Sequence, residues 1–144
     1  MKQETRVVLD TNIWISALLW GGKPAKIIKA AEQGRISILT SEGIISEISQ
    51  VLTYPKLKRI YQSEGLGIEN LIETVLKISR LVNVNKNLAV VKEHPADDKF
   101  IECAQASGAE YIVSGDKHLL KVGCYKKTQI VSVNEFLQVF EAKT

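Results

Sequence analysis

Two hydrophobic rhythms alternate along the chain. Short continuous apolar runs, bounded by turn residues, read as buried strands; longer stretches, with apolar residues three or four positions apart, read as helices. "RVVLD", beginning at Arg6, is the first strand, and the helical "NIWISALLW" that follows is closed by Gly21 and Gly22. "KPAKIIKAAEQG" forms a second helix, with Pro24 in its first turn and Gly34 placed to stop it. After the strand "ISIL", Ser41 caps "EGIISEISQVLT", whose Ile44, Ile45, Ile48, Val51 and Leu52 make one face. Tyr54-Pro55 breaks that helix and "KLKRIYQS" resumes as a short one. "IENLIETVLKISRL" is a long amphipathic helix running into a weak strand, "VNV". The polar "KEHPADD" leads to helix "KFIECAQAS", stopped by Gly108; then come strand "YIVS", a helical turn "KHLLKV", strand "TQIVSV" and helix "NEFLQVFEAK".

Short strands separated by helical segments imply parallel pairing through right-handed crossovers. The expected fold class is therefore α/β, an open and mainly parallel sheet with helices on both faces. At 144 residues and 16.0 kDa, residues 1–144 are expected to form a single domain. A hydrophobic content of 45% with 24% charged residues is that of a soluble globular protein. A net charge of +3 permits an anionic partner without demanding one. No apolar stretch approaches the roughly 20 residues of a membrane-spanning helix, and "MKQET" does not open a signal peptide. Cys103 and Cys124 lack the close spacing of a zinc site, and two unpatterned cysteines fit a reducing cytoplasm, the expected location.

The chain has only four aspartates, and they are not scattered. Asp10 ends the first strand, Asp116 follows "YIVS" across the tight "SGD" turn, and Asp97 and Asp98 open the helix leading into that strand. In an open parallel sheet, ligands sit beyond the carboxyl ends of the strands, where strand order reverses. Carboxylates gathered there repel one another unless a cation neutralises them or one holds a proton. Hard oxygen ligands of this kind suit Mg²⁺ or Mn²⁺. Each residue also has an ordinary use: Asp10 as a helix N-cap, one of Asp97 and Asp98 as a cap, and Asp116 as a turn residue. Glu47 lies at the margin of its helix's apolar face, where it is either a solvated edge residue or a fourth acid over the same sheet edge.

"VVLDTNIWISALL", "SEGIISEISQVL", "HPADDKFIECAQASGAEYIVSGDKHLL" and "VNEFL", in this order over nearly the whole chain, resemble a PIN domain, closest in type to compact VapC-like toxins of toxin-antitoxin systems. The resemblance implies a three-layer α/β/α fold with a central, mainly parallel sheet. It also implies a Mg²⁺- or Mn²⁺-dependent nuclease acting on single-stranded RNA, an antitoxin partner and a homodimer. Carried over by position, the metal-holding and catalytic acids are Asp10, Glu47, Asp98 and Asp116. Asp98 is preferred to Asp97 by its spacing to Asp116, leaving Asp97 with Asn12 and Ser114 as supporting polar residues. His118 departs from the pattern, standing where relatives carry another acid, and His94 and His118 read as surface residues rather than a catalytic pair.

RNA binding also calls for positive charge near the crevice. Lys117, beside Asp116, is the first candidate, with Lys56, Lys58 and Arg59 interleaved between Tyr54 and Tyr61; a solvated helix face is the alternative for each. Two other functional readings stand against the nuclease. A haloacid-dehalogenase-type phosphatase also ends its first strand in aspartate, but needs a second aspartate where this chain has Asn12. A PIN fold kept as a non-catalytic binding module is the other, and retention of all four acids argues against it. Trp14, Leu18 and Trp20 form a stripe that serves either the core or a dimer interface.

Overall fold

A computed structural model describes residues 4–142. The chain runs through β1 (Thr5–Leu9), α1 (Thr11–Leu19), α2 (Gly22–Glu32), β2 (Ile36–Thr40), α3 (Glu42–Leu52), α4 (Pro55–Ser63), α5 (Ile68–Ile78) and β3 (Ser79–Leu81). A single 3₁₀ turn (Pro95–Asp97) then opens α6 (Asp98–Ser107), followed by β4 (Tyr111–Val113), α7 (Lys117–Val122), β5 (Cys124–Tyr125), β6 (Thr128–Val131) and α8 (Val133–Ala142). The expected end of the last helix at Lys143 falls outside the described residues.

The strands form one sheet in the order β3-β2-β1-β4-β6-β5. Every pairing is parallel except that of β5 with β6, as in a mainly parallel α/β/α sheet. Val7, Val8 and Leu9 are fully buried, which explains why this strand reads as a continuous apolar run rather than an alternation: helices cover both of its faces. Ile44, Ile48 and Leu52 of α3, Phe100, Ile101 and Ala104 of α6, and Phe136 and Phe140 of α8 supply much of the covering apolar surface. Trp14 is fully buried, so the α1 stripe serves the core there, whereas Trp20 at its end is exposed. Strand order reverses beside β1, which lies between β2 and β4, so the carboxyl ends of β1 and β4 flank a crevice.

Two segments depart from the sequence pattern. The helix expected to run to Leu81 ends at Ile78, and the strand is Ser79–Leu81 rather than the "VNV" that follows. Ser79 leaves the helix in extended backbone while its hydroxyl donates to the Val75 carbonyl at 2.6 Å, and Leu81 reaches register with Thr40. Pairing with the buried β2 overrides the helical periodicity. The β5–β6 hairpin is the second departure. It turns through Lys126 and Lys127, with no glycine or asparagine to signal it, and Lys126 sits at φ 53°. A left-handed lysine is strained, so Lys126→Gly is expected to raise the unfolding free energy by about 0.5–1 kcal/mol, measured by urea denaturation.

Residues 82–94 form a long connection without regular structure, held down by acids of α6. Glu102 accepts the Leu88 amide at 2.8 Å. Asp98 accepts the amides of both Val90 and Val91 at 3.0 and 2.8 Å, and the Val91 side chain is buried in the core. These contacts satisfy backbone donors that a loop folded onto the protein would otherwise strand. Among the described residues, no helix is long and apolar enough to cross a membrane.

Candidate metal centre

Asp10 fills the ordinary role open to it and makes a second contact besides. It is the N-cap of α1, and Oδ1 accepts the Ile13 amide at 2.9 Å. Its other oxygen, Oδ2, accepts the hydroxyl of Ser114, just past β4. Ser114 is fully buried, and its Oγ in turn accepts the Asp116 amide at 2.9 Å. The Asp10 amide donates to the Val113 carbonyl at 3.1 Å. The ends of β1 and β4 are thereby fastened together, with one acid on each. Asp116 caps α7 through the His118 amide at 2.7 Å and is only half-buried.

The third acid at this edge is Asp97, not Asp98. Asp98 turns its carboxylate to the loop amides of Val90 and Val91. Adjacent residues of a helical turn point about 100° apart, so the two cannot face the same way. Asp97 Oδ2 is buried, and a ring nitrogen of His94, a carboxylate oxygen of Asp97 and one of Asp116 all lie within 4.8 Å of one another. The expectation that Asp98 joins the acids while Asp97 supports them is thus reversed in the geometry. The spacing to Asp116 could not separate two neighbours that differ only in direction.

Glu47 reaches the cluster from α3. Its Oε1 accepts the Thr11 hydroxyl, and its Oε2 lies 2.6 Å from Lys99 Nζ, which also donates to the Ala96 carbonyl. Lys99 further lines an open groove of about 420 Å³ together with Ser41, Gly43, Leu81 and Glu102. Neither Thr11 nor Lys99 stood out in the sequence, since each merely follows an aspartate. Of the expected supporting residues, Ser114 holds Asp10, whereas Asn12 is exposed in the first turn of α1. Lys117 is exposed beside Asp116, and Lys56, Lys58 and Arg59 are exposed on α4, which follows the C-terminal end of α3.

The electrostatics are those of crowded, dehydrated carboxylates. Burial pushes the Asp10 carboxyl up to about 6 against the opposing hydrogen bonds from Ser114 and Ile13, and the nearby Asp116 charge pushes the same way. Burial likewise raises Asp97, with Asp116 and Glu47 adding repulsion and His94 opposing it. Lys99 offsets the charge of Glu47, but among the described residues no lysine or arginine forms an ion pair with Asp10, Asp97 or Asp116. The buried Asp97 Oδ2 has only His94 beside it, with Nδ1 at 3.0 Å. Hard oxygen donors and crowded negative charge that only a histidine offsets fit a divalent cation, which Asp97 and Asp116 could hold with Asp10 nearby.

His94 is exposed and His118 half-buried, and the two stand together beside this cluster. The His94 and His118 rings stack with centroids 5.3 Å apart and planes 6° from parallel. His118 faces Glu93 at 3.5 Å, and Lys121 pairs with the same carboxylate at 3.3 Å.

Comparison with known proteins places the fold and the family. A curated protein of Methanocaldococcus jannaschii, the uncharacterized protein MJ1680, is 33% identical over 153 residues, covering 97% of this chain and 94% of its own. The crystal structure of VapBC2 from Rickettsia felis bound to a DNA fragment from their promoter contains a chain of the same fold. It superposes with a TM-score of 0.61 at 12% identity, over 89% of this chain and 98% of that one. The family described as PIN domain matches residues 6–118, from the strand that carries Asp10 to the helix that follows Asp116. The chain belongs to the PIN domain family.

Proposed function

We propose that this protein is a divalent-metal-dependent endoribonuclease that hydrolyses phosphodiester bonds in single-stranded RNA. The observation that carries the reading is the approach of Asp97 to Asp116 at the sheet's switch point, with Asp10 joined to Asp116 through Ser114. Membership of the PIN domain family supports nuclease chemistry. In this reading Asp10, Asp97 and Asp116 hold Mg²⁺ or Mn²⁺. Bound there, the cation lowers the pKa of a coordinated water and polarises the scissile phosphate.

The protein's own residues do the rest. Ser114 fixes the Asp10 carboxylate, and the α1 amide of Ile13 holds its second oxygen. Thr11 and Lys99 clamp Glu47 between them, and Glu47 orients the attacking water and accepts its proton. Lys117 offers positive charge to the RNA backbone, with Lys56, Lys58 and Arg59 as a further patch. No side-chain nucleophile is required, and the products carry a 5′-phosphate and a 3′-hydroxyl.

The biological reading is the toxin of a type II toxin-antitoxin pair, acting in the cytoplasm as a homodimer that an antitoxin blocks at the crevice. It is supported by the resemblance to VapC-like chains and by the shared fold with a chain of a VapBC assembly. The test is cleavage of a fluorogenic single-stranded oligoribonucleotide with Mn²⁺, alongside a generic phosphomonoester. Cleavage of the RNA that stops on adding a chelator, returns on restoring Mn²⁺ and leaves the phosphomonoester intact is the expected result. Hydrolysis of the phosphomonoester would turn the assignment toward a phosphatase, and an inert protein that binds no Mn²⁺ would turn it toward a binding module.

A further inference from the structure

We propose that His94 supplies a nitrogen ligand to the cation held by Asp97 and Asp116, making this a mixed nitrogen and oxygen site. The inference rests on the reading of these acids as a divalent-cation site and adds a ligand to it. Three observations carry it. First, a ring nitrogen of His94 and carboxylate oxygens of Asp97 and Asp116 lie within 4.8 Å of one another, so one ion could reach all three. Second, His94 Nδ1 and Asp97 Oδ2 are 3.0 Å apart. Adjacent ligand atoms around an octahedral ion, with bonds of about 2.1 Å at right angles, stand about 3.0 Å apart. The pair is an ion pair when the imidazole is protonated, and has the spacing of two neighbouring ligands when it is neutral. Third, Asp97 is more than nine-tenths buried, yet that oxygen has no hydrogen-bond partner.

Local structure holds the histidine in place. The His94 amide donates to the Val91 carbonyl at 3.1 Å and the Asp97 amide to the His94 carbonyl at 3.0 Å, closing a turn that brings the two side chains side by side. Pro95 stiffens the turn's first position. The stacked His118 ring, itself facing Glu93, supports one face of the imidazole. A metal-binding histidine oriented by its neighbours follows the general pattern for such ligands. An imidazole in the shell favours Mn²⁺ and later transition ions over Mg²⁺, which binds almost wholly through oxygen.

The test uses the full chain with Mn²⁺ and needs no substrate. Pulsed electron paramagnetic resonance of bound Mn²⁺ is expected to show nuclear modulation from a directly coordinated ¹⁴N in the wild type. His94→Gln removes it, and His94→Asp binds Mn²⁺ without it. Calorimetry is expected to show the preference for Mn²⁺ over Mg²⁺ falling by about tenfold or more in His94→Asp. Bound Mn²⁺ with no nitrogen modulation in the wild type, or modulation that survives both substitutions, overturns the role of His94 and leaves the acid site standing. Failure of the wild type to bind Mn²⁺ at all overturns the site itself.

Discussion

Asp97→Asn is expected to lower RNA cleavage by at least about 100-fold while leaving the fold intact, whereas Asp98→Asn stays within a few-fold of wild type. The contrast comes from direction, since the two residues are neighbours. Asp97 lies beside Asp116, and its buried Oδ2 has His94 at 3.0 Å and no lysine or arginine, so in the proposed site its charge is open to a cation. Loss of a partner that merely supports a metal ligand costs about 10–100-fold, and loss of the ligand itself is expected to exceed that range. Asp98 uses one oxygen to accept two loop amides, and an asparagine carbonyl can do the same. Asp98→Ala is different: it strands two amides, that of Val91 being buried, and is expected to cost about 2–4 kcal/mol in unfolding free energy. Cleavage rates and urea denaturation of the three variants check this together. Loss of activity in Asp98→Asn with retention in Asp97→Asn would reassign the third acid.

Asp10→Asn is expected to stabilise the metal-free protein at neutral pH while abolishing its activity. The folded protein holds the Asp10 carboxyl at about 6, above its ordinary value of 3.8, chiefly because of burial. Below the lower value both states are protonated and the group costs nothing. As pH rises toward 6, the unfolded chain ionises and the folded one lags, so the folded state binds more protons and stability falls. Above 6 the penalty is complete, at about 3 kcal/mol from a shift of about two units. Asparagine keeps the cap to Ile13 and removes the charge. In a chelator, its advantage over wild type is expected to grow by about 1.5 kcal/mol between pH 5 and pH 8. Mn²⁺ at a hundred times its dissociation constant nearly cancels that advantage, because only the wild type gains about 2.7 kcal/mol. Urea denaturation at both pH values, with and without Mn²⁺, measures all of this. A pH-independent difference between the proteins would mean that Asp10 is not dehydrated as described. Asp10 is thus a place where a carboxylate that costs stability is kept for the cation it can hold.

The sequence by itself determined the alternation of strands and helices, and with it the sheet. Buried strands such as Val7–Leu9 must be apolar on both faces, and helices such as α3 must show one apolar stripe, so the periodicities are direct records of burial. It also determined that acids gather at one sheet edge, because a residue ending a parallel strand has only one place to be. Asp10 and Asp116 followed from that rule, whereas Ser114 came from the family resemblance. Tertiary structure alone decided which way neighbouring side chains point and which distant groups meet. Spacing could not tell Asp97 from Asp98, because the difference is a turn of the backbone that sends one carboxylate to the crevice and the other to the 82–94 loop. Nor could it find Lys99 for Glu47, Thr11 across from α3, or the stacked histidines, whose partners lie tens of residues away. The strand at Ser79–Leu81 and the Lys126 turn escaped for the same reason: sheet pairing, which only the folded chain supplies, outweighs the local preference of those residues.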